Sequence, residues 1–121
     1  AVRGGAAAAD PAARGAAPRA LGDQVPVHRV RVARVRDEVV FGRVWTRPGL
    51  ELKMRSVAVI AALTAMQRLP QLKSHIANGL NAGLTKQEII EILIQMAFYA
   101  GAPTAVNAFQ VAKEVFEAEG V

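Results

Sequence analysis

A chain of 121 residues holds one core of ordinary size and not two. At 52% hydrophobic against 21% charged residues its composition is globular, and zero cysteines exclude disulfides, thiolate metal sites and cysteine nucleophiles together. The formal net charge of +5 comes from the front: residues 1–50 carry nine arginines and no lysine against Asp10, Asp23, Asp37 and Glu38, while acids and bases balance over 51–121. Those arginines lie in a segment with little aromatic content and no recognisable binding motif, so no nucleic-acid partner is expected. The longest apolar runs, 57–65 and 92–100, fall far short of the ~20 residues that span a bilayer, and no membrane partner is expected either.

Residues 1–20 are almost wholly Ala, Gly, Arg and Pro and offer no large side chains to bury, which reads as disorder. The stretch is Arg-rich and acid-poor like a transit peptide, but lacks serine. The whole of 1–36 is read as an irregular basic segment in front of a helical domain at 37–121. Within it, 25–35 partly alternates valine with polar residues, the pattern of a half-buried strand. Val40, Phe41, Val44 and Trp45 fall at helical spacing, and Arg47-Pro48-Gly49 breaks that run. His28 has no assigned role.

From Leu52 an alanine-rich run with Val59, Ile60, Leu63 and Met66 predicts a helix to about Gln67, buried nearly all round. Pro70 suits the first turn of a second helix, with Leu72, Ile76 and Leu80 on one stripe and Gly83 as its stop. Thr85 and Glu88 have capping-box spacing, so a third helix starts there and carries Ile89, Ile92, Leu93, Met96 and Phe98 to Gly101. Pro103 opens a fourth, with Val106, Phe109, Val111, Val115 and Phe116. Four helices with short links make an all-α bundle.

Several of these residues recur together in one family. The run Phe41-Gly42-Arg43-Val44-Trp45-Thr46-Arg47-Pro48-Gly49-Leu50, then Arg55-Ser56, His75, Asn78-Gly79, Gly83-Leu84-Thr85, Glu88-Ile89, Glu91 and Tyr99-Ala100-Gly101-Ala102-Pro103 resembles the gamma-carboxymuconolactone decarboxylase branch of the carboxymuconolactone decarboxylase family. Leu21-Gly22-Asp23 is similar to an upstream segment of the same family. The resemblance implies an alkylhydroperoxidase-like helical bundle and a cytoplasmic homo-oligomer, a trimer or hexamer. The thiol-dependent relatives on that fold need a Cys-x-x-Cys pair before the histidine and a glutamate directly after the helix-one arginine; this chain has Arg68-Leu69-Pro70-Gln71-Leu72 in the first region and Ser56 after Arg55. Disulfide exchange cannot run without a thiolate.

The implied activity is cofactor-free decarboxylation of gamma-carboxymuconolactone or a related carboxylated lactone, with no metal and a small-molecule carboxylate as partner. His75 is the candidate proton donor, since imidazole is the side chain suited to proton transfer near neutral pH. A half-exposed helix histidine bonded to a backbone carbonyl is its bland reading. Arg55 is a candidate catalytic grip on a substrate carboxylate and Arg47 a candidate binding residue, because a guanidinium donates two parallel hydrogen bonds. A structural salt bridge from Arg55 to Glu88 or Glu91 is the alternative. Trp45 and Tyr99 are candidate pocket walls, and Glu91 is a candidate to orient His75 or neutralise an arginine. The rival to an enzyme is a non-catalytic helical oligomer that keeps the scaffold.

Overall fold

The computed structural model describes residues 21–121, with side chains from residue 29 onward. The stretch 1–20, read as disordered, and the side chain of His28 lie outside the described residues. The chain divides into two compact units, Ala1–Val44 and Trp45–Val121, where the sequence reading places the division after residue 36.

In the first unit α1 (Leu21–Arg36) runs directly into a π-helical segment, Asp37–Val44. The strand expected over 25–35 is therefore helix. Val30, Val32 and Val35 are exposed, so the alternation has no second strand to pair with, and a helix satisfies the backbone amides within the segment itself. The helical spacing expected after Asp37 is realised as the wider π turn and stops before Trp45.

The second unit is the four-helix bundle expected from the sequence: α2 (Leu52–Ala65), α3 (Leu69–Asn81), α4 (Lys86–Tyr99) and α5 (Ala102–Glu119). Among the described residues there are helices and turns and no strands. Local chemistry sets the ends. Pro70 lies in the first turn of α3, where its missing N–H would have no intrahelical partner. Thr85 and Glu88 form the reciprocal capping box, with Glu88 N donating to Thr85 Oγ1 at 3.0 Å and Thr85 N to Glu88 Oε1 at 3.1 Å. Gly101, at φ 102°, turns the chain between α4 and α5, a conformation that strains any residue with a Cβ.

Helix α2 packs on α3 and α4, and α5 packs on α3 and α4 and, over less area, on α2. Helices α3 and α4 thus stand across the diagonal of the bundle. Ile60, Leu72, Ile76, Ile89 and Leu93 are fully buried at its centre, joined by Ala108, Val115 and Phe116 from α5. Gly79 lets α3 approach α2 closely: a Cβ there would stand 3.0 Å from Leu84 Cδ1 and 3.1 Å from Ile60 Cδ1.

Two expectations about the core are corrected. Helix α2 is not buried all round: it buries Ser56, Ile60 and Thr64, spaced four apart on one face, and leaves Leu52, Met54 and Met66 exposed. The Thr64 hydroxyl donates to Ile60 O at 2.8 Å, which removes the cost of burying it. Phe98, expected in the core stripe, is 86% exposed, because it lies nine positions after Ile89 and five after Leu93 and so falls on the opposite face of α4 from both.

Candidate functional site

The loop 45–51 connects the first unit to α2, and its sequence forbids regular structure: Pro48 has no amide to donate, and Gly49 favours no helix. Trp45 opens this loop, and its ring lies over that of His75 on α3, with centroids 6.0 Å apart and planes 19° from parallel. Both residues are half-buried, and His75 Nδ1 is shielded from solvent. Two of the residues singled out by sequence are thus in direct contact, thirty positions apart. His75 is half-exposed on α3, as its bland reading has it, and stacks on Trp45 as well.

The arginines take different positions. Arg55, in the first turn of α2, donates from Nη2 to Arg47 O at 2.9 Å and from Nε to Leu50 O at 3.1 Å. Neither salt bridge weighed from sequence forms. Glu88 pairs instead with Lys53 Nζ at 3.0 Å, and Glu91 accepts from Gln87 Nε2 at 3.0 Å. The Arg47 side chain is exposed, two residues along the same loop from Trp45. Tyr99 and Glu91 belong to α4, across the diagonal from α3; Tyr99 is 80% exposed and Glu91 is exposed. The structure brings together Trp45, His75 and the loop of Arg47 held by Arg55, and leaves Tyr99 and Glu91 on another helix.

Charge near α4 is organised locally. The Lys53 ammonium bonded to Glu88, and then the Thr85 amide, hold the Glu88 carboxyl below its ordinary value. Among the described residues there is no group of three or more His, Asp or Glu placed to hold a metal ion, and no helix is long and apolar enough to cross a membrane.

One polar cluster had no sequence signal. Gln67 adopts φ 54° at the end of α2, and its amide donates to Thr64 O at 2.8 Å and Thr104 O at 3.1 Å while accepting from Asn107 Nδ2 at 2.8 Å. It ties the α2–α3 corner to the start of α5. A second feature, a cavity of about 480 Å³ between α4 and α5, is floored by Ile90, Phe109 and Phe116, with Lys86 Nζ 5.3 Å from the Phe116 centroid. None of the residues singled out from sequence for chemistry lines it.

The model of the carboxymuconolactone decarboxylase family matches residues 31–114. The chain belongs to that family. Its match includes Trp45, Arg47, Arg55, His75, Glu91 and Tyr99. The chain is 40% identical over 81 residues to a 4-carboxymuconolactone decarboxylase of Acinetobacter baylyi, covering 67% of this chain and 60% of the relative. It is 37% identical over 84 residues to an uncharacterized 15.0 kDa protein of Paracoccus denitrificans, covering 68% and 63%. It is 32% identical over 77 residues to a nitrosuccinic acid decarboxylase of Metarhizium robertsii, covering 64% and 54%. The aligned part of this family member therefore spans about three fifths of the length of these relatives.

Proposed function

We propose that the protein is a cofactor-independent carboxy-lyase acting on gamma-carboxymuconolactone or a related carboxylated lactone in aromatic-acid catabolism. The names of two relatives, both decarboxylases, support the reaction class. The observation that carries the site is the stacking of Trp45 on His75 beside the Arg47 loop.

In this reading the substrate is its own electron sink. The bond to the carboxylate breaks, carbon dioxide leaves, and the electron pair moves through the ring alkene onto the lactone carbonyl oxygen as a dienolate. His75 then donates a proton to the carbon alpha to that carbonyl, help worth ~10²–10⁴-fold in rate. Arg47 holds the carboxylate that remains, and Trp45 walls one side and keeps water from the reacting group. Tyr99 and Glu91 enter only where a second subunit brings α4 to the site.

The same reading includes a cytoplasmic homo-oligomer, a trimer or hexamer. Its support is the apolar surface that Ile94, Phe98 and Tyr99 expose on α4 and Val106 exposes on α5. That surface is also what the rival reading, a non-catalytic helical oligomer, rests on. Turnover of gamma-carboxymuconolactone in heavy water separates the two: an enzyme that delivers the proton yields product with one deuteron at the alpha carbon on a single face. No product, or a racemic deuteron at the background rate, contradicts the enzymatic reading.

A further inference from the structure

We propose that Arg55 is a positioning residue, fixing the 47–50 loop and through it the placement of Trp45 on His75, so that recognition of the substrate anion falls to Arg47. The inference deepens the decarboxylase reading and rests on it for the kinetic part of its test.

The geometry starts from the guanidinium. Nε and Nη2 form its side-on edge, the pair of parallel donors best matched to a carboxylate. In this protein that edge is occupied by backbone: Nη2 on Arg47 O at 2.9 Å and Nε on Leu50 O at 3.1 Å. The two carbonyls lie three residues apart around Pro48-Gly49, so one rigid fork clasps both ends of the turn that this Pro-Gly pair forms. Arg55 is itself anchored, half-buried in the first turn of α2, with its amide donating to Glu51 O at 3.0 Å.

A substrate carboxylate reaching for the same edge would have to displace both carbonyls and release the loop. Arg47, by contrast, presents an exposed side chain from within the held turn, and Trp45 begins the same loop before resting on the imidazole. The two arginines are therefore not equivalent grips on one anion. One sets the loop, and the loop carries the other together with the aromatic wall.

The test uses the full chain, whose single tryptophan is Trp45. Arg55→Ala, Arg55→Lys and Arg47→Ala are compared by near-UV circular dichroism and acrylamide quenching of Trp45, and by kcat and KM on gamma-carboxymuconolactone. Lys113→Ala on α5 serves as the control for a substitution remote from the loop. Expected for Arg55→Ala is a changed near-UV signal, easier quenching, and a kcat lowered about 10–100-fold with KM altered much less, the scale set by misplacing a catalytic geometry by about an ångström. Arg55→Lys, a point charge without the fork, recovers only part of the Trp45 signal. Arg47→Ala leaves that signal intact and raises KM about tenfold or more.

An unchanged Trp45 signal in Arg55→Ala overturns the proposal, and so does a rise in KM at unchanged kcat, which would place Arg55 on the substrate. Should Arg55→Ala not fold by far-UV circular dichroism, the Trp45 signal of Arg55→Lys alone decides, with a fully native signal counting against the proposal. The Trp45 readout needs no turnover, so failure of the decarboxylase reading is distinguishable from failure of this one.

Discussion

Trp45 lies on His75 with ring centroids 6.0 Å apart and planes 19° from parallel, a contact that joins the loop before α2 to the middle of α3. Stacked ring pairs contribute ~0.5–1.5 kcal/mol beyond the area they bury. Because the chain has one tryptophan, its emission reports this contact without a label. His75→Ala is expected to make Trp45 more accessible to acrylamide while lowering stability by about 1 kcal/mol in urea unfolding. Trp45→Ala is expected to lower kcat/KM for the proposed substrate about 10–100-fold through loss of the pocket wall.

Gln67 is the strained element of the bundle. Its φ of 54° is tolerated because the side-chain amide closes three hydrogen bonds, two to backbone carbonyls and one to Asn107. Gln67→Ala keeps the strain and loses the bonds, so it is expected to cost about 1–3 kcal/mol in equilibrium unfolding. Gln67→Gly relieves the backbone and is expected to cost less.

Glu88 gives the protein an acid-sensitive contact. Its folded carboxyl is held low by Lys53 and by the Thr85 amide, so it binds a proton less readily than the unfolded chain does. Its stabilisation is then complete above the ordinary carboxylate range and is lost as pH falls through the lowered folded value. Glu88→Gln is expected to lower the thermal midpoint at neutral pH, with the gap to wild type closing below about pH 4.3. Equal midpoints for the two proteins at neutral pH would show that Glu88 acts only as a cap, since glutamine keeps the capping bond.

Much of the fold was legible because its signals are local. Thr85 and Glu88, Pro70, Gly101 and Pro103 act within one helical turn of their own positions, and each sets the helix end it was expected to set. Segment 25–35 misled because Val25 and Val27, and then Val30 and Val32, alternate as in a strand, whereas the steps of three from Val27 to Val30 and from Val32 to Val35 break that period. At the site, sequence singled out Trp45 and His75 without showing that they touch. The role of Arg55 was hidden for a simpler reason: its acceptors are backbone carbonyls, which every residue has, so Glu88 and Glu91 looked like better partners than they are. Gln67 was missed because its partners at Thr104 and Asn107 lie 37 and 40 residues away.

Phe98 and Tyr99, at 86% and 80% exposure, present a large aromatic surface at the end of α4. Phe98→Asp is expected to leave far-UV circular dichroism unchanged and to shift the protein to a smaller species in sedimentation velocity. A wild-type protein that sediments as a monomer at micromolar concentration would contradict the proposed homo-oligomer.

The account turns on whether His75 delivers the proton that completes decarboxylation. The direct measurement is carbon dioxide release from gamma-carboxymuconolactone by the purified protein and by His75→Ala, with no metal added. The account predicts turnover by the wild type and a rate about 100-fold lower or more in the variant. Equal rates from the two proteins would contradict it.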